Sequence, residues 1–183
     1  MSAADEHRCV AAEFTATVEG VPDGGWDRPA PPHGWVARDV VRHLTEWFPA
    51  FLRGTAGIEL PAGPSVDVDP AAAWRTQTAA VQALLDDPER AGAEYEFGPM
   101  GRSSLAEVID RIYTADVFMH RWDLARATGQ DETLDPERCA AMYEGMVPMD
   151  EVLRASGHYG PRVAVPDDAD PQTRLLAFIG RQP

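Results

Sequence analysis

The chain has 183 residues, 44% hydrophobic and 25% charged, with a formal net charge of −14. This composition suits one globular domain over residues 1–183 with a core of its own. The charge argues against nucleic acid and anionic membrane surfaces as partners, since both select basic footprints. All 16 basic residues are Arg, so no lysine is available for a Schiff base or a P-loop.

Cys9 and Cys139 fit neither a CxxC spacing nor a disulfide framework. The N-terminal MSAADEHRCV lacks the apolar stretch of a signal peptide. No apolar run approaches membrane-spanning length. A cytoplasmic location is expected, with a homodimer left open.

In chain order, residues 3–19 read as a first helix with Val10, Phe14 and Val18 as its stripe, closed by Gly20. The Pro/Gly-rich VPDGGWDRPAPPHG is long for a structureless loop, so it is expected to pack through Trp26 and Trp35 or to cover a site. A second helix is expected over 36–53, with Val36, Val40, Leu44, Trp47 and Phe51 at helical period and Gly54 and Gly57 at its end. Asp69-Pro70 marks a third helix running to about Leu85, with Asp as N-cap and Pro at the first position. "AEYEF" suggests a short extended segment. Ser104-Leu-Ala-Glu107 is a capping box and opens a fourth helix that runs to Thr128 and stops at Gly129. Asp135-Pro136 opens a fifth helix ending near Ser156, and Asp170-Pro171 a short last one through Ile179. Four long helices, two long crossings and little alternating pattern predict an all-α bundle, in which ligand sites sit between facing helices.

The apolar stripe of the fourth helix, Leu105, Ile109, Ile112, turns polar at Asp116 and continues through Met119, His120 and Asp123. Asp116 and His120 stand one turn apart and project from one face. His43 interrupts the apolar side of the second helix in the same way. Buried polar groups need partners. Each histidine alone reads as a hydrogen-bonded core residue, and Asp116–His120 alone as a buried ion pair. Together, two His and one carboxylate on facing helices supply three ligands for a divalent ion, with open positions for water or substrate. Asp123 could orient His120 through its second ring nitrogen, or bond a loop backbone. Arg126 reads as solvated. His7 reads as exposed near the terminus, His33 as a loop residue, and His158 as a surface residue of the tail. Cys139 stays as a weak alternative nucleophile, without the neighbours that make a thiolate.

The blocks "HGWVARDVVRHL", "ADVFMHRWDLARATG" and "PDDADPQTRLLAFIGRQP" together resemble actinobacterial members of the DinB-like superfamily. More narrowly, they resemble the mycothiol-dependent maleylpyruvate isomerase metal-binding family. The resemblance implies a DinB-like four-helix bundle with long crossover loops and a short C-terminal helix. It implies a core divalent metal, usually zinc, on His43, Asp116 and His120, while the two-histidine, one-carboxylate set itself leaves Ni2+ or Fe2+ possible. It also implies mycothiol as cosubstrate in a transferase or isomerase acting on a small electrophile. Asp116 stands where the isomerase has Glu, so maleylpyruvate itself is not the expected substrate. Val36 replaces the Thr that would cap the second helix. The chain ends after "GRQP", so the isomerase's further C-terminal domain is not expected. Two other readings fit the residues: a metal-dependent hydrolase with Asp123 as base, and a non-catalytic helical binding or interaction protein.

Overall fold

The computed structural model describes residues 1–98, 101–157 and 159–183. Its helices are α1 (Ala3–Glu19), α2 (Ala37–Ala56), α3 (Pro70–Asp86), α4 (Pro88–Gly92), α5 (Leu105–Val108), α6 (Ala115–Thr128), α7 (Pro136–Met146), α8 (Asp150–Ala155) and α9 (Pro171–Phe178). β1 (Glu94–Glu96) and β2 (Arg102–Ser104) form an antiparallel pair, with Glu94 opposite Ser104. The extended segment expected at "AEYEF" is therefore one arm of a small hairpin.

The architecture is an all-α, DinB-like bundle. α1 packs on α3 and α6, and α2 packs on the same two helices. This arrangement sets α2 and α6 side by side. The core between them is aromatic and aliphatic: Phe14, Leu44, Phe48, Trp74, Leu105, Tyr113, Phe118 and Trp122 are all buried. Phe48 and Tyr113 stack with ring centroids 4.2 Å apart, tying α2 to the segment before α6.

Local signals set the helix starts. The Asp69 carboxylate accepts from the Ala72 N–H at 2.9 Å, Asp135 from Arg138 at 2.7 Å and Asp170 from Thr173 at 3.0 Å, each followed by Pro. The Ser104–Glu107 capping box forms in both directions. Val36 offers no side-chain acceptor at the start of α2, and half a box remains: Asp39 accepts from the Val36 N–H at 2.9 Å.

Four expectations need correction. The fourth helix is not regular throughout, since a π-helical stretch, Ile109–Thr114, separates α5 from α6. Such wide turns re-phase the residues that follow. The fifth helix does not run unbroken to Ser156: a 3-10 turn, Val147–Met149, carrying Pro148 divides it into α7 and α8. Gly54 lies inside α2, and Gly57, at φ +66°, is the residue that ends it. His7 is fully buried, not exposed; its Nδ1 lies 2.9 Å from Gln82 Oε1 and its ring lies over Tyr113. His158 lies outside the described residues.

The Pro/Gly-rich connection is folded rather than loose. Ala30 N–H donates to Trp35 O, and Ala37 N–H to Arg28 O, each at 2.9 Å. Trp26 and Trp35 are half-buried against the core. α7 and α9 pack on each other and carry the chain's end back to α6. Among the described residues, no helix is long and apolar enough to cross a membrane.

Candidate metal centre

α2 contributes His43, and α6 contributes Asp116 and His120. One nitrogen of each imidazole and one Asp116 carboxylate oxygen lie within 4.8 Å of one another. His43 Nε2 is 3.0 Å from Asp116 Oδ2, and His120 Nε2 is 3.4 Å from Asp116 Oδ1. The carboxylate thus stands between two imidazoles and offers one oxygen to each. Bonds of about 2.0–2.2 Å to N and O place tetrahedral ligand atoms about 3.3 Å apart. Each imidazole nitrogen lies near that distance from one oxygen of the Asp116 carboxylate, and the donor set suits Zn2+, Ni2+ or Fe2+. The three residues could therefore hold such an ion.

Burial is graded across the cluster. The His120 side chain is 7% exposed, Asp116 18% and His43 29%. The open side of the cluster is the His43 side.

The surroundings hold each group in place. The Trp47 indole N–H, one turn after His43, donates to Asp116 Oδ2 at 2.9 Å. Trp35 stacks on His120 at 5.7 Å between centroids and also packs on His43 at 5.3 Å. The folded connection therefore covers the site, as its length suggested. Asp123 Oδ2 lies 2.8 Å from His120 Nδ1, so that carboxylate faces the imidazole rather than a loop backbone. Arg181, from the chain's end, grips Asp123 with two N–H groups at 2.8 and 2.9 Å.

Burial works against the charge on Asp116, but His120 and His43 outweigh it and its pKa is lowered. Burial likewise disfavours the His120 imidazolium, yet the Asp116 charge and the Asp123 hydrogen bond raise its pKa above the ordinary value. Asp123 is lowered against its own burial by His120 and Arg181. Tyr159, half-buried, is pushed up to about 12, first by burial and then by the Asp116 charge.

The remaining candidates stay away from the centre. His33 is exposed in the connection, and Arg126 is exposed, paired with Glu132 and lying over Trp122. Cys9 is exposed; Cys139 is buried and its thiol is pushed up to about 11 by burial, which opposes a thiolate. Sequence reasoning missed the site roles of Trp47 and Arg181, whereas Trp35 lay in the connection expected to pack or to cover a site. Trp47 alone had a local signal, its i+4 position from His43.

The class defined by this fold and site is a DinB-like bundle with a two-histidine, one-carboxylate cluster between two helices. Residues 7–125 match the family described as the mycothiol maleylpyruvate isomerase N-terminal domain, and the chain belongs to that family. Similar proteins include two from Mycobacterium tuberculosis, uncharacterized protein Rv0738 of strain ATCC 25618 / H37Rv and uncharacterized protein MT0763 of strain CDC 1551 / Oshkosh. Each is 30% identical over 181 residues, covering 96% of this chain and 95% of its own. No solved structure gives a significant match.

Proposed function

We propose that this protein is a divalent-metal-dependent enzyme that uses a low-molecular-weight thiol, mycothiol, against a small electrophilic substrate. The observation that carries this reading is the convergence of His43, Asp116 and His120, half-open on one side, in a chain of the mycothiol maleylpyruvate isomerase N-terminal domain family. His43 Nε2, Asp116 and His120 Nε2 are the groups that would hold the ion, most simply Zn2+. A divalent ion there supplies a Lewis acid that stabilises a thiol sulfur as thiolate near neutral pH.

The residues around it have separate tasks. Asp123 holds the His120 ring so that Nε2 faces Asp116. Trp47 fixes the carboxylate of Asp116. Trp35 and Trp47 wall the imidazoles with apolar rings, which limits water and strengthens the local field. In the reaction, the thiol proton leaves to bulk water and the sulfur forms a bond to the electrophilic carbon. A leaving group then departs with its electron pair, giving S-transfer, or the adduct rotates and releases the thiol, giving isomerisation.

A hydrolase could use the same three residues. The base suggested for it, Asp123, is 1% exposed and engaged through both oxygens, which favours the thiol reading. Cobalt substitution tests the choice. Mycothiol added to the cobalt protein should produce a sulfur-to-cobalt charge-transfer band that survives replacement of Cys9 and Cys139 by Ser. If cobalt is bound and authentic mycothiol produces no band, thiol dependence is wrong and the hydrolase reading takes its place.

A further inference from the structure

We propose that Arg181 is a positioning residue for the centre: it holds Asp123, and through Asp123 it keeps the His120 ring aimed at Asp116. The inference rests on the reading of His43, Asp116 and His120 as metal ligands. It adds a component from outside the family-matched segment, which ends at residue 125.

The geometry is that of a two-pronged clamp. Arg181 Nε donates to Asp123 Oδ1 at 2.8 Å and Nη2 donates to Oδ2 at 2.9 Å. The same Oδ2 faces His120 Nδ1 at 2.8 Å. A planar guanidinium fixes the plane of a carboxylate in a way an ammonium does not. Asp123 is 1% exposed and the Arg181 side chain 17%, so water does not replace a lost partner. A buried carboxylate deprived of one partner is strongly disfavoured. It turns toward whatever partner remains, and the imidazole bonded to it loses its fixed orientation.

The chain's end is built to deliver this side chain. Gly180 takes φ +85°, a conformation that favours glycine. A Cβ there would meet the Gly160 backbone and Pro161 O at 3.0 Å. Glycine therefore permits both the turn and the close approach of the two strands of chain. The Arg181 N–H then closes onto Leu176 O at 2.8 Å. Arg154 bonds the carbonyls of Gly160 and Phe178, and Arg126 bonds Gln182 O at 3.0 Å. The backbone is held on both sides of Arg181.

Two effects compete when Arg181 is removed. Loss of a positive charge near the ion favours metal binding, whereas loss of the clamp disfavours it. The burial of Asp123 makes the second dominate. Cobalt titration of the full chain, followed in the visible band, separates them when wild type is compared with R181M, R181K and H43A. Melting of each metal-free protein reports on folding.

R181M should bind cobalt 10–100-fold more weakly, the usual effect of losing an outer partner of a ligand, with an altered band shape. R181K keeps the charge without the fork and should remain weaker than wild type. Unchanged or tighter binding by a folded R181M overturns the inference and leaves the pair a staple for the tail. If R181M does not fold, R181K decides, and wild-type affinity in R181K overturns it. A wild type that binds no cobalt, or binds it no better than H43A, overturns the ligand assignment itself and this inference with it.

Discussion

Trp47→Phe isolates the bond that holds Asp116 from α2. The substitution keeps an aromatic ring beside Phe48 and Tyr113, which lie 5.3 and 6.1 Å from the Trp47 ring. It removes the N–H that donates to Asp116 Oδ2 at 2.9 Å. A hydrogen bond to a charged group contributes about 1.5–3 kcal/mol. The Asp116 side chain is 18% exposed, so solvent recovers part of the loss and the lower end, about 1.5 kcal/mol, applies. The smaller, half-buried ring costs roughly 0.5 kcal/mol more in apolar area. The total of about 2 kcal/mol corresponds to a fall of about 4–8 °C in Tm for a chain of this size. Thermal melts in chelator measure it without a contribution from metal. Comparison with Asp116→Ala and the double variant gives the coupling, expected near 1.5 kcal/mol on the same reasoning. A Tm change below about 1 °C, or strict additivity of the two substitutions, would refute the role given to the indole.

Two other predictions concern the ion and His7. Saturating metal at about 100 times Kd should stabilise the native state by about 2.7 kcal/mol, raising Tm by roughly 5–11 °C. Chelator should reverse this shift without unfolding the bundle, and Asp116→Ala and His120→Ala should abolish it; full metal occupancy in either variant would show the ligands misassigned. The third outcome concerns His7, whose pKa is lowered by burial, with the Gln82 bond only partly opposing. The unfolded chain takes up that proton more readily than the fold does. The His7 contribution is therefore complete above the unfolded value of about 6.5 and is lost as pH falls below it toward the folded pKa. Melts at pH 7.5 and pH 5 should show wild type losing more stability on acidification than His7→Phe; equal losses would place His7 outside this linkage.

What the sequence revealed was what is local. Caps at Asp69, Ser104, Asp135 and Asp170 each join residues three apart, and their partners can be read along the chain. Asp116 and His120 were visible because a carboxylate and an imidazole one turn apart break an apolar stripe, and His43 because it breaks another. His7 had a readable signal that proximity to the terminus obscured: it lies three residues before Val10 and seven before Phe14, on the buried stripe of α1. The π-helical stretch had none, since Ile109, Ile112 and Tyr113 suit either helical form. Arg181 had none either. Its partner is 58 residues away, and the contact depends on α9 packing against α7 and on a glycine turn, both tertiary consequences.

The charge of the centre connects these long-range features to the proposed chemistry. Imidazoles that ligate a metal are neutral. With the imidazoles neutral as ligands, the two carboxylates of Asp116 and Asp123 and the one guanidinium of Arg181 sum to a single negative charge apart from the ion. A divalent ion makes the loaded centre singly positive, which suits one monoanionic partner such as a thiolate. Without Arg181 the two carboxylates would cancel the ion, and the attraction for an anionic sulfur would be lost. The clamp on Asp123 thus contributes orientation to His120 and charge to the centre at once. At longer range the chain's net charge of −14 acts in the opposite sense and opposes the approach of multiply charged anions. On the proposed chemistry those two fields together would favour a neutral or singly charged electrophile, approaching from the His43 side where the cluster is most open.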